Sequence, residues 1–480
     1  MTYHEYLKKL PGYTLYPRSG VETGNAVYFL VRCDRDGLKY LIVHGATDGF
    51  DGTPYDAGSG LVCPLSAANA AALRIRLPWL IPAPLGLQTS VGCGDRLGVA
   101  TPGHIRAVRE AEGVAPILAQ QSIRENARTG RTPQQVVDDA MWGVFQEGWR
   151  QAWGADADHL KTTDDVELCV KAGYTFYTVD PGDHVDNEAH TEAMETLQGK
   201  FAALPWDALD DSPAAMHGRY VNRHFALEGV DLQFDDLALT RAAAKYGRAI
   251  AHSARMSRHL ASLTDKYELE ISVDETETPT SPEEHFFFAN ELLRLGVRWV
   301  SLAPRYVGRF EKGVEYIGDL SEFRASLAQH AAIATALGPY KLSIHSGSDK
   351  FAIYDDFAAL THGVVHLKTA GTSYLEALRA VAKTDPALFD QILAFSASRY
   401  ETDRATYHVS AQLDRVPKLD GGDLSALLDQ FDARQVLHVT FGSVLGQFGE
   451  QINVALRSDE ETYYQLLQDH FRRHLAPFAA

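Results

Sequence analysis

The residues of this chain that could do chemistry gather where short apolar runs end. ADADHLK (155–161) carries Asp158, His159 and Lys161, and YTFYTVD (174–180) ends on Asp180. YELEISVDE (267–275) closes on Asp274 and Glu275, and RWVSLAP (298–304) leads to Arg305 and Arg309. YKLSIHSG (340–347) carries His345 and Ser346 with Lys350 just beyond, and VVHLKTAG (364–371) carries His366 and Lys368. LGLQTSVGCG (85–94) leads into Asp95 and Arg96. Imidazoles and carboxylates on separate strand ends are a common way to hold a divalent metal with positions left open for substrate. On that reading His159, His345 and His366 are the metal ligands, and Asp158 and Glu275 serve as acid and base. A lone histidine at a strand end is usually a hydrogen-bonded structural residue; three of them with several carboxylates argue for a site. One conflict is visible in advance. Strand side chains alternate faces, so Asp158 and His159 cannot both point inward along an ideal strand.

Such an arrangement needs a scaffold that brings those ends together. From Leu85 onward the chain alternates strand-like runs with helices, and eight such units can be counted. The helices carry start and stop signals: Thr101-Pro102, Thr132-Pro133 and Ser281-Pro282 at openings, and Gly173 at a close. Eight units in this order predict a parallel (β/α)8 barrel rather than a doubly wound open sheet, with its active site at the C-terminal strand ends. Residues 1–83 read as a small α+β unit with a hairpin (AVYFLVRC and KYLIVHG) and a helix over Asn69–Leu77. The barrel then spans 84–385 with a mostly helical insertion at 185–265, and 386–480 read as a helical C-terminal cap.

Composition narrows the function. The 480 residues are 45% hydrophobic and 22% charged, an ordinary globular balance. The 45 Lys and Arg against 63 Asp and Glu give a net charge of −18, which argues against a nucleic-acid partner. The first 20 residues lack the pattern of a secretory signal, and no run reaches the roughly 18 apolar residues of a membrane span. Cys33, Cys63, Cys93 and Cys169 are scattered without a CxxC, as in a reduced, cytoplasmic protein. Gly92-x-Gly94 lacks the rest of a dinucleotide fingerprint. Ser346-Gly347-Ser348 is either an anion cradle or a turn that needs glycine. Glu283-Glu284-His285 suits the first turn of a helix, and Phe286–Phe288 suits a core.

Several long stretches carry a resemblance. SVDETETPTSPEEHFFFANEL, SLAPRYVGRFEKGVEYIGDL, YKLSIHSGSDKF and HLKTAGTSYLEALR resemble the tagaturonate/fructuronate epimerase family, and GDRLGVATPGHI and ADADHLKT agree. The resemblance runs from about 85 to 410 and more weakly beyond. It implies inversion at C4 of a ketohexuronate, counted from the ketose end, with a divalent metal; zinc, manganese, nickel and cobalt are not distinguished. Neutral ketohexoses such as tagatose are the alternative substrate class, and a metal-dependent sugar aldolase or isomerase is an alternative activity. A non-catalytic sugar-binding protein would need neither metal ligands nor facing carboxylates. A homo-oligomer is compatible with this class, and no membrane partner is expected. The C4 hydrogen is β to the ketone and not acidic, so simple proton abstraction cannot invert the centre. With no dinucleotide motif for transient oxidation, the remaining route opens and re-forms the C3–C4 bond by retro-aldol chemistry, a metal acting as Lewis acid toward the enediolate. Asp95, Arg96, Lys161, Asp274, Arg305, Arg309, Ser346, Lys350 and Lys368 are the candidates for substrate contacts, the cations among them for the carboxylate.

Overall fold

The computed structural model describes residues 10–55, 59–417 and 423–479. At the N-terminus β1 (Tyr13–Leu15), β2 (Val21–Thr23), β3 (Ala26–Cys33), β4 (Lys39–His44), β5 (Thr53–Tyr55) and β6 (Gly60–Pro64) form one antiparallel sheet. The expected hairpin is β3 and β4, paired from Val27↔His44 to Arg32↔Lys39. A helix follows over Ala67–Arg76, capped by the Ser66 side chain.

Eight parallel strands then close into a barrel: β7 (Ser90–Gly92), β8 (Ala115–Ser122), β9 (Gly154–Leu160), β10 (Phe176–Val179), β13 (Glu268–Ser272), β14 (Ser301–Ala303), β15 (Lys341–Ile344) and β16 (Val365–Lys368). Closure is made where β16 pairs with β7, His366 lying opposite Ser90 and Lys368 opposite Gly92. Three helices start where their capping residues stand, whereas Thr101 is the first residue of its helix, behind Ala100, and does not cap it. Thr132, Thr162 and Ser281 each accept a backbone N–H and complete capping boxes for Pro133–Glu147, Thr163–Ala172 and Pro282–Arg294. Gly173 ends its helix at φ 86°, a left-handed position that favours glycine.

The insertion between β10 and β13 is less purely helical than its sequence suggests. Helices Met194–Ala202 and Pro213–Tyr220 precede a hairpin of β11 (His224–Leu227) and β12 (Val230–Gln233), and Asp236–Leu263 is one long helix. The hairpin is tied by Glu228-Gly229, a weaker turn signal than Asn-Gly or Asp-Gly, between strands of four residues. C-terminal helices cover Pro386–Asp403, Phe431–Val439, Phe441–Ser458 and Glu460–Leu475. A single apolar cluster runs from Tyr28 and Leu30 through the barrel shell to Leu467 and Leu475, so the packing is continuous across 83 and 386. Among the described residues no helix is long and apolar enough to cross a membrane.

The lumen is the unusual part. Strands of a parallel barrel are commonly apolar on both faces. Here the residues facing outward, such as Ala155, Ala157, Leu269, Ile271, Leu342, Ile344, Val365 and Leu367, are buried in the shell. The alternate residues, Asp156, Asp158, Glu268, Glu270, Ser272, Lys341, Ser343, His366 and Lys368, are polar and also buried.

Candidate active site at the barrel mouth

The polar lumen is organised in levels. Near its base Lys341 donates to Ser90 Oγ at 2.9 Å, and His366 Nδ1 lies 2.9 Å from the same hydroxyl. Above it Lys368 is the hub. Its ammonium lies 2.9 Å from Asp156, 2.6 Å from Asp158 and 2.7 Å from Glu270, and it donates to Thr178 Oγ1 at 2.6 Å. Ser301 donates to the other Glu270 oxygen at 2.5 Å. At the mouth His345 Nε2 donates to Glu270 Oε1 at 2.7 Å, while its Nδ1 lies 3.2 Å from Asp274. His159 Nδ1 lies 2.9 Å from Asp158, its Nε2 is 3.7 Å from Asp274, and the His159 and His345 rings are 5.1 Å apart.

Asp158 and His159 do both face this mouth, against simple alternation. His159 has φ 54°, and the β9–β10 register shifts between Tyr177 and Val179, a bulge at the strand end. The left-handed residue turns its side chain back over the lumen. Asp158, His159 and His345 thereby offer ligand atoms within 4.8 Å of one another, and His159, Asp180 and Glu275 form a second such group.

The electrostatics follow from crowding. Burial alone would depress the His159 imidazole, but Asp158, Asp274 and Glu275 reverse the sign and hold it well above the usual histidine range. His345 is likewise raised, burial and Lys368 being outweighed by Asp274 and Glu270. Burial works to raise Asp158 and Glu270, yet His159 and Lys368 around the first, and Lys368 and His345 around the second, hold both well below the carboxylate range. Asp156 is the exception: burial pushes it up to about 7 despite Lys368. This anionic mouth fits a divalent cation. His159 Nε2 is buried without a hydrogen-bond partner among the described residues, and Glu270 orients His345 as a carboxylate orients a metal-ligating imidazole.

The other expected residues divide. His366 is not brought to the mouth. It lies below the level of Lys368, wholly buried against Phe176 and Ser90, and burial pushes it down to about 3. Lys368 is held by three carboxylates rather than open to an anion. Lys350 is turned away: its buried ammonium donates to the backbone carbonyls of Glu311, Val314 and Ser348. Asp95 accepts N–H groups from Leu97, Gly98 and Ala100 and so shapes its own loop. Lys161 sits at an exposed edge, 2.7 Å from Asp183 and 3.7 Å from Asp180. Arg305 donates to the carbonyls of Tyr306 and Gly308, and with the exposed Arg309 it lines an outer cavity that also reaches Asp274 and Glu275. Arg96 and Ser346 line the inner cavity together with Asp158, His159, Glu275, His345 and Lys368.

Sequence reasoning missed Asp156 and Glu270, whose signal was the every-other-residue polarity of GADADHL and ELEIS, and Thr178, which stands in the apolar run FYTV. It also missed Arg124, 3.5 Å from Glu275, and the contributions of Tyr407 and His438 to the inner cavity. Those two come from the C-terminal region, and no local pattern announces them.

Comparison with known proteins shows the family. The family model described as tagaturonate epimerase matches residues 16–478. The chain is 41% identical over 474 residues to the tagaturonate/fructuronate epimerase of Thermotoga maritima, covering 97% of this chain and 96% of that one. Crystal structures of the fructuronate-tagaturonate epimerase of Cohnella laeviribosi, native and with one glycerol, superpose with TM-score 0.93 at 36% identity over 99% of both chains.

Proposed function

Because the chain belongs to the tagaturonate epimerase family, and is thus an isomerase of the epimerase class, we propose that it interconverts D-tagaturonate and D-fructuronate by opening and re-forming the C3–C4 bond. The observation that carries the reading is the convergence of Asp158, His159 and His345, within 4.8 Å of one another, beside the rim carboxylate of Glu275. In this reading Asp158, His159 and His345 hold a divalent cation, and His366 does not. Bound there, the cation would supply Lewis-acid chemistry toward the C2 ketone and a neighbouring hydroxyl.

The protein groups do the rest. Glu275 is on the rim; burial opposes its ionisation, but His159 foremost lowers it below the usual glutamate range, so it is anionic at neutral pH. It takes the C4 hydroxyl proton as the C3–C4 bond opens and returns it when the bond re-forms on the other face. Arg124, 3.5 Å away, holds that carboxylate at the rim. Glu270 and Lys368 fix His345 and Asp158 from below. Tyr407 and His438 complete the cavity walls and keep the aldehyde fragment beside its partner while it turns. Four buried, unbridged cysteines support a reduced, cytoplasmic setting.

Chelation tests the cation: undiminished C4 epimerisation in a metal-free sample would sink that part of the proposal. Solvent deuterium tests the bond-opening route, which retains the C4 hydrogen; incorporation at C4 during turnover would exclude it. Products that leave the six-carbon pool would point to an aldolase instead.

A further inference from the structure

The inner cavity has a second wall, and its charge is opposite to that of the lumen. Arg96 lies on it, 5% exposed. Its Nε and Nη2 donate to Glu125 Oε1 at 3.0 and 2.6 Å, and the guanidinium lies 3.6 Å over the Phe441 ring, so its orientation is fixed. Its Nη1 is nevertheless buried with no hydrogen-bond partner among the described residues. His438, 2% exposed, is wedged between two glycines. A Cβ on Gly371 would fall 1.9 Å from its Cε1, and one on Gly313 would fall 3.0 Å from its Nδ1. That Nδ1 is also without a partner among the described residues. Lys312, on the same wall, donates to Ser346 Oγ at 2.6 Å. Gly371 opens the thirteen-residue helix Thr372–Thr384, which no side chain caps, so the positive end of its dipole meets the cavity at Ala370 and Gly371.

A buried donor without an acceptor is costly, and the Arg96 Nη1 donor, with the unpartnered His438 ring nitrogen on the same cavity wall, calls for a partner supplied from outside the protein. We propose that this wall seats the carboxylate of the ketohexuronate, received by Arg96, Lys312, His438 and the N-terminus of helix Thr372–Thr384. The proposal rests on the epimerase reading and deepens it: the wall sets the direction of the substrate. The carboxylate is repelled by the acidic lumen and drawn to the basic wall, which leaves the ketone end facing Asp158, His159 and His345. The same wall distinguishes a uronate from a neutral ketohexose, which ends in a hydroxymethyl group.

The experiment measures KM for the uronate and Ki for the corresponding neutral ketohexose in the parent and in two variants. Lys312→Met removes a charge, and Arg96→Lys keeps a cation for Glu125 while deleting the Nη1 donor. The variants' melting curves are checked alongside, and either variant alone suffices for the test. Loss of one charge-assisted contact should raise the uronate KM by about tenfold or more, with the ketohexose Ki within about twofold. A parallel rise in both constants, or an unchanged uronate KM in a folded variant, would overturn the carboxylate seat. If the parent turns over the neutral ketose but not the uronate, the seat falls while the epimerase reading stands. If it turns over neither, both fall.

Discussion

Replacing Lys368 by Met should expose how the lumen is balanced. The lysine side chain is 3% exposed and is the shared cation of Asp156, Asp158 and Glu270. Methionine has similar length and no charge, so the packing change is small and the electrostatic change dominates. Removing one partner from a buried ion pair costs about 3–5 kcal/mol, because the remaining charge is left uncompensated. Here three carboxylates are left, and the variant can escape the full cost by taking up a proton. Asp156, at about 7 in the parent, is already the most readily protonated of the three. The variant should therefore retain one further proton, shared among the group.

That proton gives the effect a pH signature. A carboxyl whose folded pKa is raised above its unfolded value is stabilised as the neutral acid at low pH, and the stability is lost as pH rises. Each extra retained proton contributes about 1.4 kcal/mol per pH unit. Relative to the parent, the variant should thus lose about 2.7 kcal/mol between pH 5.5 and 7.5 on top of its deficit at pH 5.5. Urea unfolding at both pH values in the presence of chelator measures this; chelator is needed because a cation bound at hundredfold excess over its Kd adds about 2.7 kcal/mol by itself. A total loss below about 1 kcal/mol at pH 7.5, or an equal loss at both pH values, would refute the account of Lys368 as the charge hub.

Other outcomes follow from the same structure. His345→Ala should abolish both bound divalent cation and turnover, whereas His366→Gln should keep the cation; metal analysis of the two purified variants decides this, and loss in both would return His366 to the ligand set. Gly103→Ala should destabilise by about 1–3 kcal/mol in urea, because its Cβ would lie 2.7 Å from the Leu467 Cβ and push the last helix off the barrel shell. Buried His104, pushed down to about 4 by burial, must take a proton on unfolding below its unfolded value near 6.5. Its neutral form therefore contributes stability that is full above pH 6.5 and falls as pH drops; the parent should lose about 2 kcal/mol more than His104→Gln between pH 7 and 5, and equal losses would refute it.

The barrel was legible because its signals are local. Capping residues, prolines at helix starts and closing glycines each act within a few residues, and eight strand–helix units leave little choice of architecture. The mouth was legible only in outline. Chain order places His366 one pleat repeat, about 6.6 Å, below Lys368, but run lengths do not show which of the two levels reaches the mouth. That repeat separates the mouth from the base. Lys350 shows the same limit: its charge is spent on three carbonyls of its own neighbourhood, a fact of loop geometry rather than of residue type. His438 approaches Gly313 and Gly371 only after the whole chain has folded. His159 is the instructive case, because alternation assigns it to the shell and a single left-handed residue overrides that assignment.

The two signs of charge at this mouth bear on one another. A mouth holding Asp156, Asp158, Glu270 and Asp274 with Lys368 as the one lysine among them is expensive unless more positive charge is supplied, and the raised His159 and His345 show where it is in demand. Stability must then come from the other face of the strands, where Leu269, Ile271, Leu342, Ile344 and Leu367 pack into a continuous apolar shell. That separation frees the inward positions for polar chemistry. It also explains why a basic wall is useful to an acidic protein. At a net charge of −18 the surroundings do not attract an anionic sugar. Arg96, Lys312 and the uncapped helix end must do so over a few ångströms, where low dielectric makes a local contact outweigh the distant, screened charge of the whole.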